Sequence, residues 1–434
     1  MEDLITFFSF QNPNIRYVTG GSVLLAISSA LVGCFTFLKK KALVGDAVAH
    51  AVLPGICLAF LISGTKNPIY LITGAFITGW LSLILIDVIT RKSKIKEDTA
   101  IGLILSVFFG IGILLLTMIQ HSGNAAQTGL DSFLFGKAAA LVGQDLMIFS
   151  VISICLLLGV ILFYKEFALI SFDEDFAKSI GFPVKRLELA LTTLTVLAVV
   201  TGIQAVGVVL MAAMLITPAA AARFWTNKLN IMLLLAAIFG AFSGVSGAYI
   251  SYVAPSMPTG PWIVMVISMI AIVSFFVAPE KGILYKLVRQ SKIKKRILSE
   301  NILKLFYQLG EIDNNFEEQR NREQIQAKRP IKTPTLLSGL NKLTNQGFLK
   351  YQNGGWQLTS QGQKKGQRIV KLHRLWEVYL TKYLRIAPDH VHEDADNIEH
   401  ILTPELEARL EALLQYPTSD PHESNIPYNK PIKN

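Results

Sequence analysis

The sequence predicts an all-α polytopic membrane protein of about eight or nine transmembrane helices, followed by a soluble, mainly α domain with a winged-helix pattern. Three observations carry this. Of 434 residues, 51% are hydrophobic and only 17% charged, too apolar for a water-soluble chain of this length. The apolar residues gather in runs such as Ile15 to Leu38, Pro68 to Thr90 and Trp262 to Ala278, which approach or exceed the roughly 20 residues needed to cross a bilayer. From about Gly282 the composition turns abruptly to Lys, Arg, Glu, Gln and Asn with short amphipathic stretches. The boundaries this implies are 1–285 for the membrane part, 286–298 for a basic linker, 299–365 for a winged-helix-like domain and 366–434 for a second helical domain.

Met1-Glu2-Asp3 is acidic where a signal peptide is positive, so the first span is expected to stay in the mature protein. Cys34, Cys57 and Cys155 all lie in apolar segments, which excludes a disulfide framework and fits a reducing cytosol for the soluble part. The net charge of +10 fits anionic lipid, nucleic acid or the positive-inside bias equally. Positive residues collect at Lys39-Lys40-Lys41, at Arg91 to Lys96, at Lys165 to Arg186 and from Lys281 onward, and these loops are expected to be cytoplasmic. The amino terminus is then outside and the carboxy-terminal domain inside, which needs an odd number of crossings. Nine result if Leu187 to Ala222 crosses twice around Gly202; eight with one segment dipping partway is the other reading.

After the triple lysine, Ala42 to Gly55 reads as an apolar helix carrying one carboxylate, Asp46, and one imidazole, His50. At i, i+4 both project from one face. An intramembrane acid costs roughly 3 kcal/mol on insertion scales unless it gains a partner, which makes the pair a functional candidate. The alternative is that the two satisfy each other near the interface. Pro54 and Gly55 are expected to kink the helix there and expose carbonyl oxygens as further ligands. His121, with no acidic partner at helical spacing, reads as surface. The chain has no Gly-x-x-x-x-Gly-Lys-Ser/Thr, so ATP phosphates are not cradled by that route.

The stretch Ala42 to Gly55 resembles the signature of the manganese, zinc and iron permeases of ABC importers. Lys96 to Gly102 and Val206-Gly207 through Leu215-Ile216-Thr217-Pro218-Ala219-Ala220 are similar to two further motifs of that family. Ser171 to Lys178 with Gly181-Phe182-Pro183 is similar to its cytoplasmic coupling helix. The resemblance covers residues 1 to about 285. It implies Asp46 and His50 as transport-path ligands, and Ser171, Asp173, Asp175, Lys178 and Gly181 in the surface that docks a separate ATPase subunit. It also implies an extracytoplasmic metal-binding protein, a permease dimer and a bacterial plasma membrane location.

In the soluble part, Ile302 to Leu309 is amphipathic and Thr333 to Leu343 reads as a short helix. Phe348 to Gln352 and Trp356 to Thr359 flank Asn353-Gly354-Gly355, the residue types that a tight hairpin turn requires. This order suggests a winged helix, with Thr333, Thr335, Ser338 and Lys342 as DNA-contact candidates. Asn314 to Lys332, carrying Arg320, Arg322, Lys328 and Arg329, is more polar than the first helix of a helix-turn-helix should be, and reads as a basic surface. Further on, His373 and Glu377 stand at i and i+4, and Asp396, Glu399 and His400 at i, i+3 and i+4, so each set lies on one helical face; an ordinary polar helix face is the other reading.

That pattern closely resembles the dimerisation and metal-sensing region of the diphtheria-toxin-repressor family of manganese- and iron-dependent regulators. The resemblance implies one metal site from His373, Glu377 and His392, and most of a second from Asp396, Glu399 and His400. It departs at Asn301, a neutral residue where the family places a ligand, and in lacking the SH3-like domain. Carboxylate and imidazole without thiolate suit Mn(II) or Fe(II) and permit Zn(II). The expected function is a permease subunit for one of these ions with a metal-responsive tail; the alternative is a membrane-tethered transcription regulator whose membrane part does not transport.

Overall fold

The computed structural model describes residues 2–65, 67–121, 143–254, 257–384 and 404–428. It forms two compact units, Met1–Lys286 and Leu287–Asn434.

The first unit opens with a short helix α1 (Glu2–Phe8) and the long α2 (Pro13–Leu38). A single span follows in two pieces, α3 (Val44–Ala51) and α4 (Leu53–Ser63), and then α5 (Pro68–Lys92). Helices α2 and α5 start the same way. Asn12 and Asn67 each accept a backbone N–H two residues on, and a proline fills the first turn. Next come α6 (Glu97–His121), α7 (Gly143–Leu162), and the short α8 (Tyr164–Phe172) and α9 (Glu174–Ser179). The unit closes with α10 (Val184–Val206), α11 (Val208–Trp225), α12 (Leu229–Val253) and α13 (Thr259–Val277).

Among the described residues, eight helices are long and apolar enough to cross a membrane. The shorter α11 runs alongside α13. Its start adjoins Val206, whose backbone packs against Gly260 so closely that a methyl there would come within 2.9 Å. Its far end, at Arg223 and Thr226, gives two carbonyls to the Lys281 ammonium at 2.8 and 3.1 Å. So α11 spans the bundle from the first turn of α13 to just past its last, about 27 Å at 1.5 Å per residue. The reversal lies at Gly207, not at Gly202. Gly207 has φ 89 and ψ 165, which a side chain tolerates poorly, whereas Gly202 stays helical to admit Met211.

Without a hydrophobic force between helices in lipid, close approach of small residues does the packing. A Cβ on Gly33 of α2 would overlap the Leu215 carbonyl of α11, and Gly55 of α4 and Gly74 of α5 exclude side chains from each other. The lysine-bearing loops gather at one end. Lys39 pairs with Glu188 at 2.5 Å and Glu174 at 3.9 Å, Arg91 with Glu188 at 3.6 Å, and Lys41 with Glu97 at 3.9 Å.

The second unit is reached along α14 (Ile283–Ile312), so the basic segment 286–298 is helical throughout. Its winged-helix part holds α15 (Arg322–Lys328), α16 (Thr333–Asn345), β1 (Leu349–Gln352) and β2 (Gly355–Leu358). Leu349 pairs with Leu358 and Gln352 with Gly355, around a turn in which Asn353 (φ 46) and Gly354 (φ 83) are both left-handed. Ile302, Phe306, Ile325, Leu336, Leu340 and Trp356 form its core. Helix α17 (Ser360–Leu384) and α18 (Pro404–Leu413) are its last described helices.

The polar stretch 314–332 corrects two expectations. It does contain a helix, because Asn321 and Gln324 form a reciprocal capping box and Ile325 reaches the core. Arg320 is not part of a basic surface. It is 6% exposed, neutralised by Asp313 at 2.5 Å and Glu318 at 3.2 Å, and its backbone bridges Trp356.

Candidate functional site

Asp46 lies in the first turn of α3 and His50 in its last. His50 Nε2 is 4.0 Å from Asp46 Oδ1, beyond hydrogen-bond reach, so neither group consumes the other. An ion about 2.1 Å from each atom fits within that separation. The imidazole rests edge-on against Phe109 of α6, ring centroids 5.0 Å apart, and its Nδ1 is buried without a hydrogen-bond partner. The Asp46 side chain is 44% exposed on the surface of this unit.

The chain interrupts at Val52, whose φ −78 and ψ −19 remain near-helical, so the span bends without unwinding. The consequence falls on His50. Pro54 has no N–H to give to the carbonyl four residues back, which is that of His50 itself. Imidazole, carboxylate and a carbonyl without its helical donor thus come from one short stretch of chain. His121 ends α6 exposed, its Nδ1 2.8 Å from the Thr117 carbonyl, as its surface reading requires. The motifs did not flag Gln204 of α10, which is 2% exposed.

The coupling-like segment forms α8, α9 and a turn at Gly181 (φ 86). Asp173 caps α9, accepting the Phe176 N–H at 2.9 Å, so its carboxylate is already engaged within the loop. Ser171 Oγ is buried without a hydrogen-bond partner, whereas the Asp175 side chain is 95% exposed. Lys178 pairs with Glu174 at 2.8 Å, and this hydrogen bond holds the Glu174 carboxyl below its ordinary range. Charge-based reading missed an apolar row: Phe172, Phe176, Ile180 and Phe182 are all exposed among these polar residues. The four-residue spacing of Phe172, Phe176 and Ile180 was visible in the sequence.

On α16, Thr335 and Ser338 are exposed. Thr333 Oγ1 accepts from Gln326 at 3.1 Å, and Lys342 Nζ reaches the Lys295 carbonyl at 3.3 Å.

In α17, His373 Nε2 lies 3.1 Å from Glu377 Oε1, each residue 2% exposed. That distance suits a hydrogen bond, and equally two neighbouring ligands about 2.1 Å from one octahedral ion. These residues therefore fit a metal. His392, Asp396, Glu399 and His400 lie outside the described residues, and among the described ones no cluster of three His, Cys, Asp or Glu stands ready for an ion. Asn301 Oδ1 on α14 is buried with no hydrogen-bond partner. Segment 404–428 closes over α17 through Leu375, Leu410, Leu414 and Ile426, and Arg374 ties it to α14 by a two-pronged pair with Glu311 at 2.9 and 2.7 Å.

Residues 11–278 match the ABC 3 transport family, and residues 359–428 match the iron dependent repressor, metal binding and dimerisation domain. The chain is 42% identical over 411 residues to the manganese transport system membrane protein MntC of Bacillus subtilis (strain 168), covering 94% of this chain and 93% of that one. It is 44% identical over 284 residues to the zinc transport system membrane protein TroC of Treponema pallidum (strain Nichols), covering 65% of this chain and 95% of that one. PsaBC from Streptococcus pneumoniae in complex with Fab shares the fold with a TM-score of 0.58 and 35% identity, over 64% of this chain and 97% of that chain. The chain therefore belongs to the ABC 3 transport family, as a multi-pass metal permease subunit that carries a repressor-type metal binding and dimerisation domain at its carboxy-terminal end.

Proposed function

We propose that this subunit carries Mn(II), with Fe(II) and Zn(II) as competitors, along a path in which Asp46 and His50 are the ligands. The observation that carries the reading is the pair itself: two unjoined ligand atoms 4.0 Å apart on one face of an apolar helix, beside a carbonyl released by Pro54. Oxygen and imidazole ligands suit these ions. Two strong ligands with weak carbonyl or water oxygens hold an ion loosely enough to let it go. The relative that aligns with nearly the whole chain is named for manganese, which favours that ion.

An exposed carboxylate on a membrane unit does not face lipid without a large cost, so the open side of Asp46 faces the corresponding side of a second copy across a wet path. The lysine-rich end is cytoplasmic, with the Phe172 to Phe182 row docking on a separate ATPase and an extracytoplasmic metal-binding protein delivering ions at the opposite end. The tail binds the same class of ion through His373, Glu377, His392, Asp396, Glu399 and His400, and reports cytosolic metal through α16 to DNA or back to the permease. A membrane anchor serving regulation alone has no use for Asp46 and His50.

The test is uptake of Mn(II) by cells expressing the intact transport system. Asp46→Asn and His50→Ala are each expected to abolish uptake while membrane level and association with the ATPase persist. Normal uptake by both variants overturns the assignment.

A further inference from the structure

Gln204 is the last-but-two residue of α10, 2% exposed, and neither its Oε1 nor its Nε2 has a hydrogen-bond partner. Around it stand Val52, Ile56, Leu71, Ile72 and Ile203, all apolar, and the gap they leave has no room for a water molecule. A carboxamide with both ends unsatisfied inside a membrane unit is the arrangement that folding most strongly disfavours, because neither lipid nor water relieves it. A leucine of nearly the same size would fit this site without that cost.

Its place in the bundle gives the amide a use. Val52 and Ile56 lie two and six residues beyond His50, so the contacts with Gln204 fall about 3 to 9 Å further along the same span. Gln204 is also within a turn of Val206, which packs at the start of α13, the end of the bundle away from the lysine-bearing loops. An ion moving toward the lysine-rich end therefore passes Gln204 before it meets His50. Gly207, three residues on, is the left-handed break between α10 and α11, a point at which this end of α10 can turn.

We propose that the Gln204 carboxamide is a further ligand of the transport path: its oxygen receives the divalent ion ahead of Asp46 and His50 once α4 and α5 part from α10. The closed apolar gap around it is then the shut state of the outer half of the path, and the amide gains its partners in the open state. A neutral amide oxygen binds such an ion weakly, which suits a station that must pass it on. This rests on the reading of Asp46 and His50 as path ligands.

The experiment measures initial Mn(II) uptake against Mn(II) concentration in cells expressing the intact system, together with the thermal stability of the extracted chain. Gln204→Leu is expected to be at least as heat-stable as the parent, yet to raise KM about tenfold. Gln204→Glu, which keeps the length and adds charge, is expected to lower both KM and kcat by holding the ion longer, and it serves also if Gln204→Leu does not reach the membrane. Kinetics within about twofold of the parent for either variant that inserts overturn the proposal. Asp46→Asn separates the two ideas. Uptake lost in Asp46→Asn with Gln204→Leu kinetics within about twofold of the parent sinks this proposal alone, whereas uptake retained in Asp46→Asn removes the path reading beneath it.

Discussion

Lys371 on α17 reaches Glu407 and Glu411 of α18 at 2.6 Å each, and Arg368 joins Glu407 at 2.7 Å. Burial works against each of these charges, but the hydrogen bonds outweigh it, so the Glu407 carboxyl is held below its ordinary range and the Lys371 ammonium above its own. The Glu407 contribution is complete above the ordinary carboxylate pKa and is lost as pH falls through its lowered value. The Lys371 contribution is complete below the ordinary lysine pKa and is lost as pH rises through its raised value. Amide hydrogen exchange in 404–414, corrected for intrinsic rate, should be most protected between about pH 5 and about pH 10. Glu407→Gln should flatten the acidic side, and an unchanged acidic side in that variant would show that another group is responsible. Residues of this kind were not legible in advance, since Lys371 and Glu407 are ordinary polar residues until α18 folds back over α17.

Among elements, the broken span α3–α4 yields the sharpest expectation. Pro54→Ala restores an N–H that can close on the His50 carbonyl, tying up an oxygen that the proposed path leaves open. Mn(II) uptake should fall several-fold while the melting temperature stays level or rises, and normal uptake would remove that carbonyl from the path. The same stretch shows what sequence reasoning reads well. The i, i+4 pair, the proline and the hairpin turn at Asn353-Gly354 are local, so their consequences follow from a few neighbouring residues. Helix α15 shows the limit: its hydrophobic pattern is almost absent, and the capping box of Asn321 and Gln324 with the lone anchor Ile325 establishes it.

At the scale of the whole molecule, the exposed apolar row bears on assembly. If the row of Phe172, Phe176, Ile180 and Phe182 seats in an ATPase, Phe176→Ala should weaken co-purification about equally at low and high salt, because the loss is of apolar burial. Asp175→Lys should weaken it mainly at low salt, where an exposed charge acts at range. Undiminished co-purification of Phe176→Ala would count against this docking surface. Asp173 is a poor probe of the interface, since its carboxylate already caps α9.

Composition and periodicity by themselves determined that this chain is a helical membrane protein with a winged-helix tail, spacing singled out Asp46 with His50, and the resemblance to metal-dependent repressors gave His373 with Glu377 their metal reading. Those features depend on local geometry and on the cost of putting polar groups in lipid, both readable along the chain. Tertiary structure decided the rest. It set the reversal at Gly207, the burial of Arg320, the engagement of Asp173 and the isolation of Gln204, because each depends on which distant residues are brought alongside. Two glycines five residues apart look alike in sequence; what separates them is that one faces Met211 inside a packed helix and the other stands where the chain must turn.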